Sequence, residues 1–283
     1  MVADAPGSLY VVATPIGNLD DLSPRAVDTL RTVDVIAAED TRHTRRLCER
    51  FGIGTAMLAL HEHNERAAGE GVLARLRAGR SVALVSDAGT PLISDPGFAL
   101  VRECRRAGLP VVCVPGPSAL AAALSVSGLP TDRFRFEGFL PRKAAARRER
   151  LRALRGETAT LVWYESPHRV QDALDDMAAV FGGARAAVLA RELTKLHETV
   201  LSLPLAELVE AVRADPDQRR GELVLMVAGA PEAPAGEAEL ERVLDILLGD
   251  LPVKHAATLA ARLTGCGKNR DYEFELRIEG RGR

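Results

Sequence analysis

The chain has 283 residues, of which 47% are hydrophobic and 27% charged, with a formal net charge of −2. This is the composition of a globular protein, and its apolar runs fall short of the roughly 20 residues that a membrane-spanning helix needs. The N-terminus lacks the basic start and apolar core of a secretory signal, so we expect a cytoplasmic protein. The four cysteines show no metal-ligand or disulfide spacing, and no metal site is predicted.

Short apolar strands alternate with amphipathic helices between residues 9 and 129. The pattern predicts strands within 9–14, 33–40, 81–87 and 110–116, and helices over 23–32, 42–51, 62–78, 98–107 and 118–126. Such alternation implies right-handed crossovers and a mostly parallel sheet. We therefore predict an N-terminal α/β domain over residues 1–127.

The second half also mixes strands and helices. Strands are predicted within 158–166, 185–194, 197–205 and 221–230, and helices over 169–180 and 205–214. The alternating polarity of ETVLSL is typical of a half-exposed antiparallel strand, so this sheet should be mixed. We predict a second α/β domain over 128–233. Beyond a linker at 231–236, two short helices at 237–251 and 253–263 and a charged tail predict a small helical appendage over 234–283.

Three turns rich in proline, glycine and serine follow predicted strands directly. They are TPIGN at 14–18, SDAGTPLISDPG at 86–97 and PGPSA at 115–119. The carboxyl ends of neighbouring parallel strands form a crevice where ligands bind, and the third turn adds the free amides of a helix N-terminus. Neither a three-glycine dinucleotide motif nor a P-loop is present. Together the turns predict a small-molecule site, although each one alone could be a plain connection.

A basic segment follows the first predicted domain. Residues 131–155 contain nine Lys or Arg, three acidic residues and three Phe, and a second basic cluster lies at 42–46. This density fits contacts to nucleic-acid phosphates with stacking on aromatic rings. The alternatives are a solvated helix face for the arginines and a core position for the phenylalanines.

Eight ordered segments between residues 9 and 230 resemble the ribosomal small subunit methyltransferase I family. They are VATPIGNLDDLSPRA, AAEDTRHTRRL, LHEHNE, VSDAGTPLISDPG, PGPSALAAALSVSGLP, FEGFLPRK, YESPHR and RELTKLHET. That family belongs to the tetrapyrrole methylase superfamily and uses S-adenosylmethionine to methylate the 2′-hydroxyl of a cytidine in the decoding centre of 16S rRNA. The turns ATPIGN and AGTP differ from the GxGPGD and GDP turns of the porphyrin enzymes, which favours the RNA branch.

The resemblance implies two α/β domains with a cofactor cleft between them, and a homodimer. Carried over by motif, the cofactor-binding residues are Pro15, Ala88, Gly89, Thr90, Ile93, Ser118, Ala119, Glu165 and Ser202. A ribose hydroxyl is a poor nucleophile, and a carboxylate or a lysine with a lowered pKa could accept its proton; Glu165 and Lys195 are the candidates. The expected RNA contacts are Arg42, Arg45, Arg46, Arg142, Lys143, Arg147 and Arg148.

These observations predict a methyltransferase acting on 16S rRNA within the small ribosomal subunit, with RNA entering over the basic segment. Two alternatives stay open at this point. One is a methyltransferase of a tetrapyrrole or another small acceptor, which the altered turns and the arginine-rich segment disfavour. The other is a non-catalytic RNA-binding or assembly protein, which cofactor binding would exclude.

Overall fold

The computed structural model describes residues 6–231, 237–249 and 251–265. The chain divides into two compact units, 1–229 and 230–283, and both β-sheets belong to the first. The predicted tail at 266–283 and most of the predicted linker lie outside the described residues. No helix in the described ranges is both long and apolar enough to cross a membrane. The domain boundaries predicted at 127/128 and 233/234 stay predictions.

The first sheet has five parallel strands in the order β3-β2-β4-β1-β5, which confirms the mostly parallel sheet predicted from the sequence. Its strands are β1 (Leu9–Val12), β2 (Val35–Ala38), β3 (Met57–Ala59), β4 (Val82–Val85) and β5 (Val111–Val114). The connecting helices are α1 (Pro24–Thr32), α2 (Thr41–Arg50), α3 (Glu65–Arg77), α4 (Phe98–Arg106) and α5 (Ala119–Ser127). The short edge strand β3 was not predicted.

The central strands of this sheet are buried on both faces. Ile36 and Ala38 join the core formed with α1 and α2, whereas Val35 and Ala37 join the core formed with α3 and α4. Because side chains alternate along a strand, a strand covered on both faces is apolar throughout, as β2 and β4 are. The first crossover helix begins at Ser23, whose hydroxyl accepts the N–H of Ala26 and so stabilises the N-terminus of α1.

The second sheet has the order β6-β7-β10-β8-β9, and only the pair β6–β7 is parallel, which confirms the predicted mixed sheet. Its strands are β6 (Phe134–Phe139), β7 (Thr160–Glu165), β8 (Ala186–Arg191), β9 (Thr199–Pro204) and β10 (Leu223–Val227). Its helices are α6 (Ala144–Ala153), α7 (Val170–Phe181) and α8 (Leu205–Ala214). Strand β6 lies in the segment that was predicted only to be basic.

The two faces of the second sheet have different cover. One face, which includes the fully buried Trp163, packs under α6, α7 and α8. The other face, which includes Val188 and Met226, packs against Ala123 and Leu124 of α5. Helix α5 therefore follows the last strand of the first sheet in the chain but packs against the second sheet. This arrangement brings the carboxyl ends of β1, β4 and β5 against the second sheet.

The second unit contains a helical pair. Helix α9 (Glu237–Leu248) and helix α10 (Val253–Thr264) bury Leu240 and Leu244 against Ala256 and Ala260. The two short helices predicted here are confirmed, with α9 ending three residues before the predicted position.

Candidate active site

A cavity of about 350 Å³ opens where the turns after β1, β4 and β5 face the second sheet. Its volume suits a small organic ligand. The first sheet lines it with Ile16, Ala88, Gly89, Thr90, Ile93, Ser94, Asp95, Ser118 and Ala119. The second sheet and its loops line it with Phe139, Tyr164, Glu165, Ser166, Pro167, Ala190, Leu193, Gly221, Glu222, Leu223 and Val224.

Hydrogen bonds join the three strand-end turns to one another. Thr14 and Gly89 exchange two backbone hydrogen bonds of 2.9 and 3.0 Å, and the Thr90 hydroxyl donates to the carbonyl of Pro117 at 2.9 Å. Gly89 has a φ of +82°, a conformation that glycine adopts without strain. The first-sheet side of the cavity is therefore one connected set of turns.

Replacing Thr90 tests this connection. Thr90→Val keeps the shape of the side chain but removes the donor to Pro117, so we expect a loss of about 0.5–1.5 kcal/mol in the free energy of unfolding. Urea-induced unfolding measures it, and Thr90→Ser, which keeps the hydroxyl, should stay close to the wild type. Equal stability of the Val variant and the wild type would contradict this role for the hydroxyl.

Glu165 ends β7 on the opposite side of the cavity, and its side chain is 0% exposed. Its Oε1 accepts the N–H of Ser166 at 2.7 Å. Its Oε2 lies 3.4 Å from Nη2 of Arg169 and has no hydrogen-bond partner. Burial raises the pKa of Glu165, although the Ser166 N–H and the charge of Arg169 oppose the rise. A buried carboxylate oxygen without a donor is able to accept one from a ligand.

Two further cavity residues, Tyr164 and Asp95, were not predicted from the sequence. The hydroxyl of Tyr164 interacts with the backbone N–H of Leu120 and with Ser118, and burial raises its pKa. Burial also raises the pKa of Asp95, to about 6. Tyr164 could have been predicted, because it lies next to Glu165 at the end of a predicted strand. Nothing in the local sequence distinguishes Asp95 from other loop aspartates.

Lys195 does not line the cavity itself, but it binds Glu222, which does. Its Nζ donates to Glu192 Oε1 at 2.8 Å and to Glu222 Oε2 at 3.0 Å. Burial acts to lower the pKa of Lys195, but the hydrogen bonds to the two glutamates outweigh it, and the pKa is raised. The expectation of a lysine with a lowered pKa is therefore wrong, because two carboxylates stabilise its charge.

The loop that carries Lys195 contacts the turn after β1. The N–H of Asn18 donates to the hydroxyl of Thr194 at 3.1 Å, and a Cβ at Gly17 would lie 2.4 Å from Cγ of Lys195. A side chain at position 17 would displace this lysine. Glycine at this position therefore permits close contact between the two sides of the cavity.

Two predicted cofactor residues do not line the cavity. Pro15 is buried within the first turn, and its neighbour Ile16 lines the cavity instead. Ser202 is exposed on β9, at the edge of the second sheet, where it pairs with Val188. The other seven predicted cofactor residues line the cavity together.

Most of the predicted basic residues are exposed. Arg45 and Arg46 project from α2 without an ion pair among the described residues, and Arg42 pairs with Asp40 at 2.8 Å. Arg142 and Lys143 are exposed in the turn between β6 and α6, again without an ion pair in the part of the chain that the structure describes.

Arg147 requires a correction. Its side chain is 5% exposed, and its Nε donates to Oδ2 of Asp176 on α7 at 2.6 Å. Arg148 is half-exposed and contacts the other oxygen of Asp176 at 3.0 Å. Because Arg147 is buried in an ion pair, it is not available to bind RNA, whereas Arg148 is only partly engaged.

A family model described as Tetrapyrrole (Corrin/Porphyrin) Methylases matches residues 8–209. A second, described as RsmI C-terminal HTH domain, matches residues 234–277. Because the first model covers more than half of the chain, the chain belongs to the tetrapyrrole methylase family.

A Pseudomonas aeruginosa protein named Ribosomal RNA small subunit methyltransferase I is 59% identical over 279 residues, which cover 97% of this chain and 99% of that protein. An Escherichia coli O157:H7 protein of the same name is 52% identical over 97% of this chain and 96% of its own length. Within the tetrapyrrole methylases, the chain belongs to the ribosomal RNA small subunit methyltransferase I family, which confirms the resemblance found in the sequence.

Solved structures share the fold at low identity. The methyltransferase CobJ matches with a TM-score of 0.59 and 21% identity, covering 79% of this chain and 95% of its own. Uroporphyrin-III C-methyl transferase from Thermus thermophilus, in complex with S-adenyl homocysteine, matches with a TM-score of 0.54 and 20% identity, covering 78% and 97%. These likenesses support the tetrapyrrole methylase architecture.

Proposed function

We propose that this methyltransferase transfers the methyl group of S-adenosylmethionine to the 2′-hydroxyl of a cytidine in the decoding centre of 16S rRNA. The observation that carries the proposal is the path of β6. This strand ends at Phe139, which lines the cavity, and the chain reaches the exposed pair Arg142 and Lys143 three residues later. A small-molecule cavity thus adjoins a basic turn able to contact phosphates.

The residues of the cavity fit S-adenosylmethionine. Small side chains at Ala88, Gly89 and Ala119 leave room for a flat ring system, and Ile16 and Leu193 add apolar surface. The unpartnered Oε2 of Glu165 is an acceptor for the hydroxyl or ammonium groups of such a ligand. When bound, the cofactor supplies an already activated methyl group.

The protein's main task is then alignment of the acceptor hydroxyl, because an activated methyl group lowers the need for a strong base. Glu165 is able to hold the ligand from the second sheet. The turns after β1, β4 and β5 enclose it from the first. Lys195 keeps its proton and positions Glu222 at the rim, so it is a positioning residue rather than a base.

The resemblance further suggests a cytoplasmic homodimer that modifies assembled small ribosomal subunits. A single basic turn gives limited affinity for naked RNA at physiological salt, which supports the assembled particle as substrate. We expect assembled subunits to be methylated faster than free 16S rRNA when the two are compared at equal concentration. Equal rates would contradict this part of the proposal.

Mapping ribose methylation in 16S rRNA from cells with and without the protein tests the activity. We expect one 2′-O-methylated cytidine to disappear without the protein and to return with the wild-type gene. Unchanged methylation would reject the proposal. Methylation of a porphyrin precursor in place of rRNA would favour the small-acceptor alternative. Absence of S-adenosylmethionine binding in calorimetry, even with RNA present, would favour a non-catalytic role.

Neutralising the basic turn should weaken RNA binding without affecting the cofactor. For the double variant Arg142→Ala/Lys143→Ala we expect an increase of about tenfold in KM for rRNA substrate and a shallower salt dependence, because about two phosphate contacts are lost. The control Arg66→Ala/Arg75→Ala removes two exposed charges from α3. If both double variants raise KM equally, the effect is one of total charge and not of this turn.

A further inference from the structure

The charged side chains that line the cavity are all acidic. Among the described residues, Asp95, Glu165 and Glu222 contribute to the lining, and no Lys, Arg or His does. Glu222 is bound by Lys195 and its side chain is 70% exposed, while Glu165 lies 3.4 Å from Arg169. Asp95 has no cationic partner in the described part of the chain. Its charge is therefore the one left uncompensated.

The surroundings of Asp95 add negative charge rather than remove it. Glu39 follows β2, Asp87 follows β4, and both act electrostatically on Asp95. From β7, Tyr164 interacts electrostatically with Asp95. The hydroxyl of Ser86 hydrogen-bonds to Asp95 and favours its ionised form. Beyond these, His61 acts electrostatically on Glu39.

We propose that Asp95 makes this cavity selective for a positively charged methyl donor over the neutral product that remains after transfer. This inference rests on the proposed function. When the carbon–sulfur bond breaks, its electron pair stays on sulfur, a carbon–oxygen bond forms at the ribose hydroxyl, and the hydroxyl proton leaves to solvent. The bound sulfur compound thus loses one positive charge. An uncompensated carboxylate attracts the sulfonium and has no such attraction for the thioether, so it favours exchange of product for donor.

The state of the Asp95 carboxyl gives the selectivity a pH dependence. Burial, with a smaller contribution from the charges of Glu39 and Asp87, raises the pKa of Asp95 to about 6 against the opposing effect of the Ser86 hydroxyl. A cation beside Asp95 favours the ionised form and lowers its pKa in the complex. By linkage, affinity for the cation rises as the pH increases through about 6, whereas affinity for a neutral ligand does not.

Calorimetric titration of the full chain with S-adenosylmethionine and S-adenosylhomocysteine tests this inference. The two ligands carry the same amino-acid tail, so the ratio of their dissociation constants isolates the charge on sulfur. We expect the preference for S-adenosylmethionine to rise about fivefold between pH 5 and pH 7.5, as it would if the bound cation lowered the pKa of Asp95 by about one unit from about 6. Asp95→Asn should lose this rise and show about a tenfold weaker preference at pH 7.5.

The matched control is Asp28→Asn, which removes an exposed carboxylate from α1 and should keep the wild-type ratio at both pH values. Sinefungin, which carries an amine in place of the sulfonium, tests the wild-type protein directly and should follow the pH dependence of S-adenosylmethionine. If it follows S-adenosylhomocysteine, or if Asp95→Asn keeps the wild-type ratio, the inference is wrong while the proposed function stands. Failure of the wild type to bind S-adenosylmethionine would instead reject the proposed function.

Discussion

Glu165→Gln should lower the rate of rRNA methylation by about 100-fold, because a hydrogen bond to a charged group contributes about 1.5–3 kcal/mol. Glu165 lines the cavity, its side chain is completely buried, and its Oε2 has no hydrogen-bond partner. Glutamine keeps the shape and an oxygen for the N–H of Ser166, but it removes the charge. The measurements are kcat/KM for rRNA and the dissociation constant of S-adenosylmethionine, with Glu149→Gln on the exposed side of α6 as the control.

The same variant should not lose stability. Since burial raises the pKa of Glu165, the ionised form is disfavoured in the folded protein. Ionisation of Glu165 therefore costs more in the folded protein than in the unfolded chain. This cost is absent below the pKa that Glu165 has in the unfolded chain and complete above its pKa in the folded protein, so it lowers the free energy of unfolding at neutral pH. Glutamine removes it, and Arg169 keeps the carbonyl of Leu140 as a partner. We expect an equal or higher melting temperature at pH 7.5. A markedly lower one would make Glu165 a structural residue.

Asp176→Ala should destabilise the protein by about 3–5 kcal/mol, the cost of leaving a buried charge without its partner. Arg147 is nearly inaccessible and donates to Asp176 at 2.6 Å, whereas its only other ion pair among the described residues, with the exposed Asp172, is longer at 3.9 Å. The second contact, from Arg148, is half-exposed and contributes less. Urea-induced unfolding measures the loss. Asp217→Ala, which removes an exposed ion pair with Arg220, is the control and should cost under about 1 kcal/mol.

Removing both charges of the buried pair should restore most of the stability. Arg147→Met/Asp176→Leu replaces the pair with apolar side chains of similar volume, which is often neutral. A double-mutant cycle that compares this variant with the two corresponding single variants gives the coupling free energy between Arg147 and Asp176. If the double variant is as unstable as Asp176→Ala, the loss comes from packing rather than from the unpaired guanidinium. Because Arg147 is buried, Arg147→Met should leave KM for rRNA unchanged.

The sequence predicted the parts of the fold that depend on local pattern. Strands β2 and β4 are apolar throughout because both faces are covered, and Ser23 with Pro24 indicated the start of α1. Strand β3 was missed because it is only three residues long, and β6 because Arg135 and Glu137 interrupt its apolar residues. In β6 the side chains are only partly buried, and Phe134 and Phe139 are exposed.

The site was predictable where it follows strand ends and not where it depends on long-range contacts. Thr90 and Ser118 were found because each lies in a turn after a buried strand. Asp95 was missed because its environment depends on Glu39 from another strand. Arg147 was misassigned because, within an arginine-rich segment, only the position of Asp176, 29 residues away, decides which guanidinium is buried.

The packing of α5 limits how this protein can be divided. A fragment ending at Gly128 would expose Ala123 and Leu124 to water, and the complementary fragment would lose the cover over Val188 and Met226. Neither fragment is therefore expected to fold on its own into a soluble protein. A chimera that joins halves from two relatives would work only if the helix and the sheet surface beneath it come from the same parent.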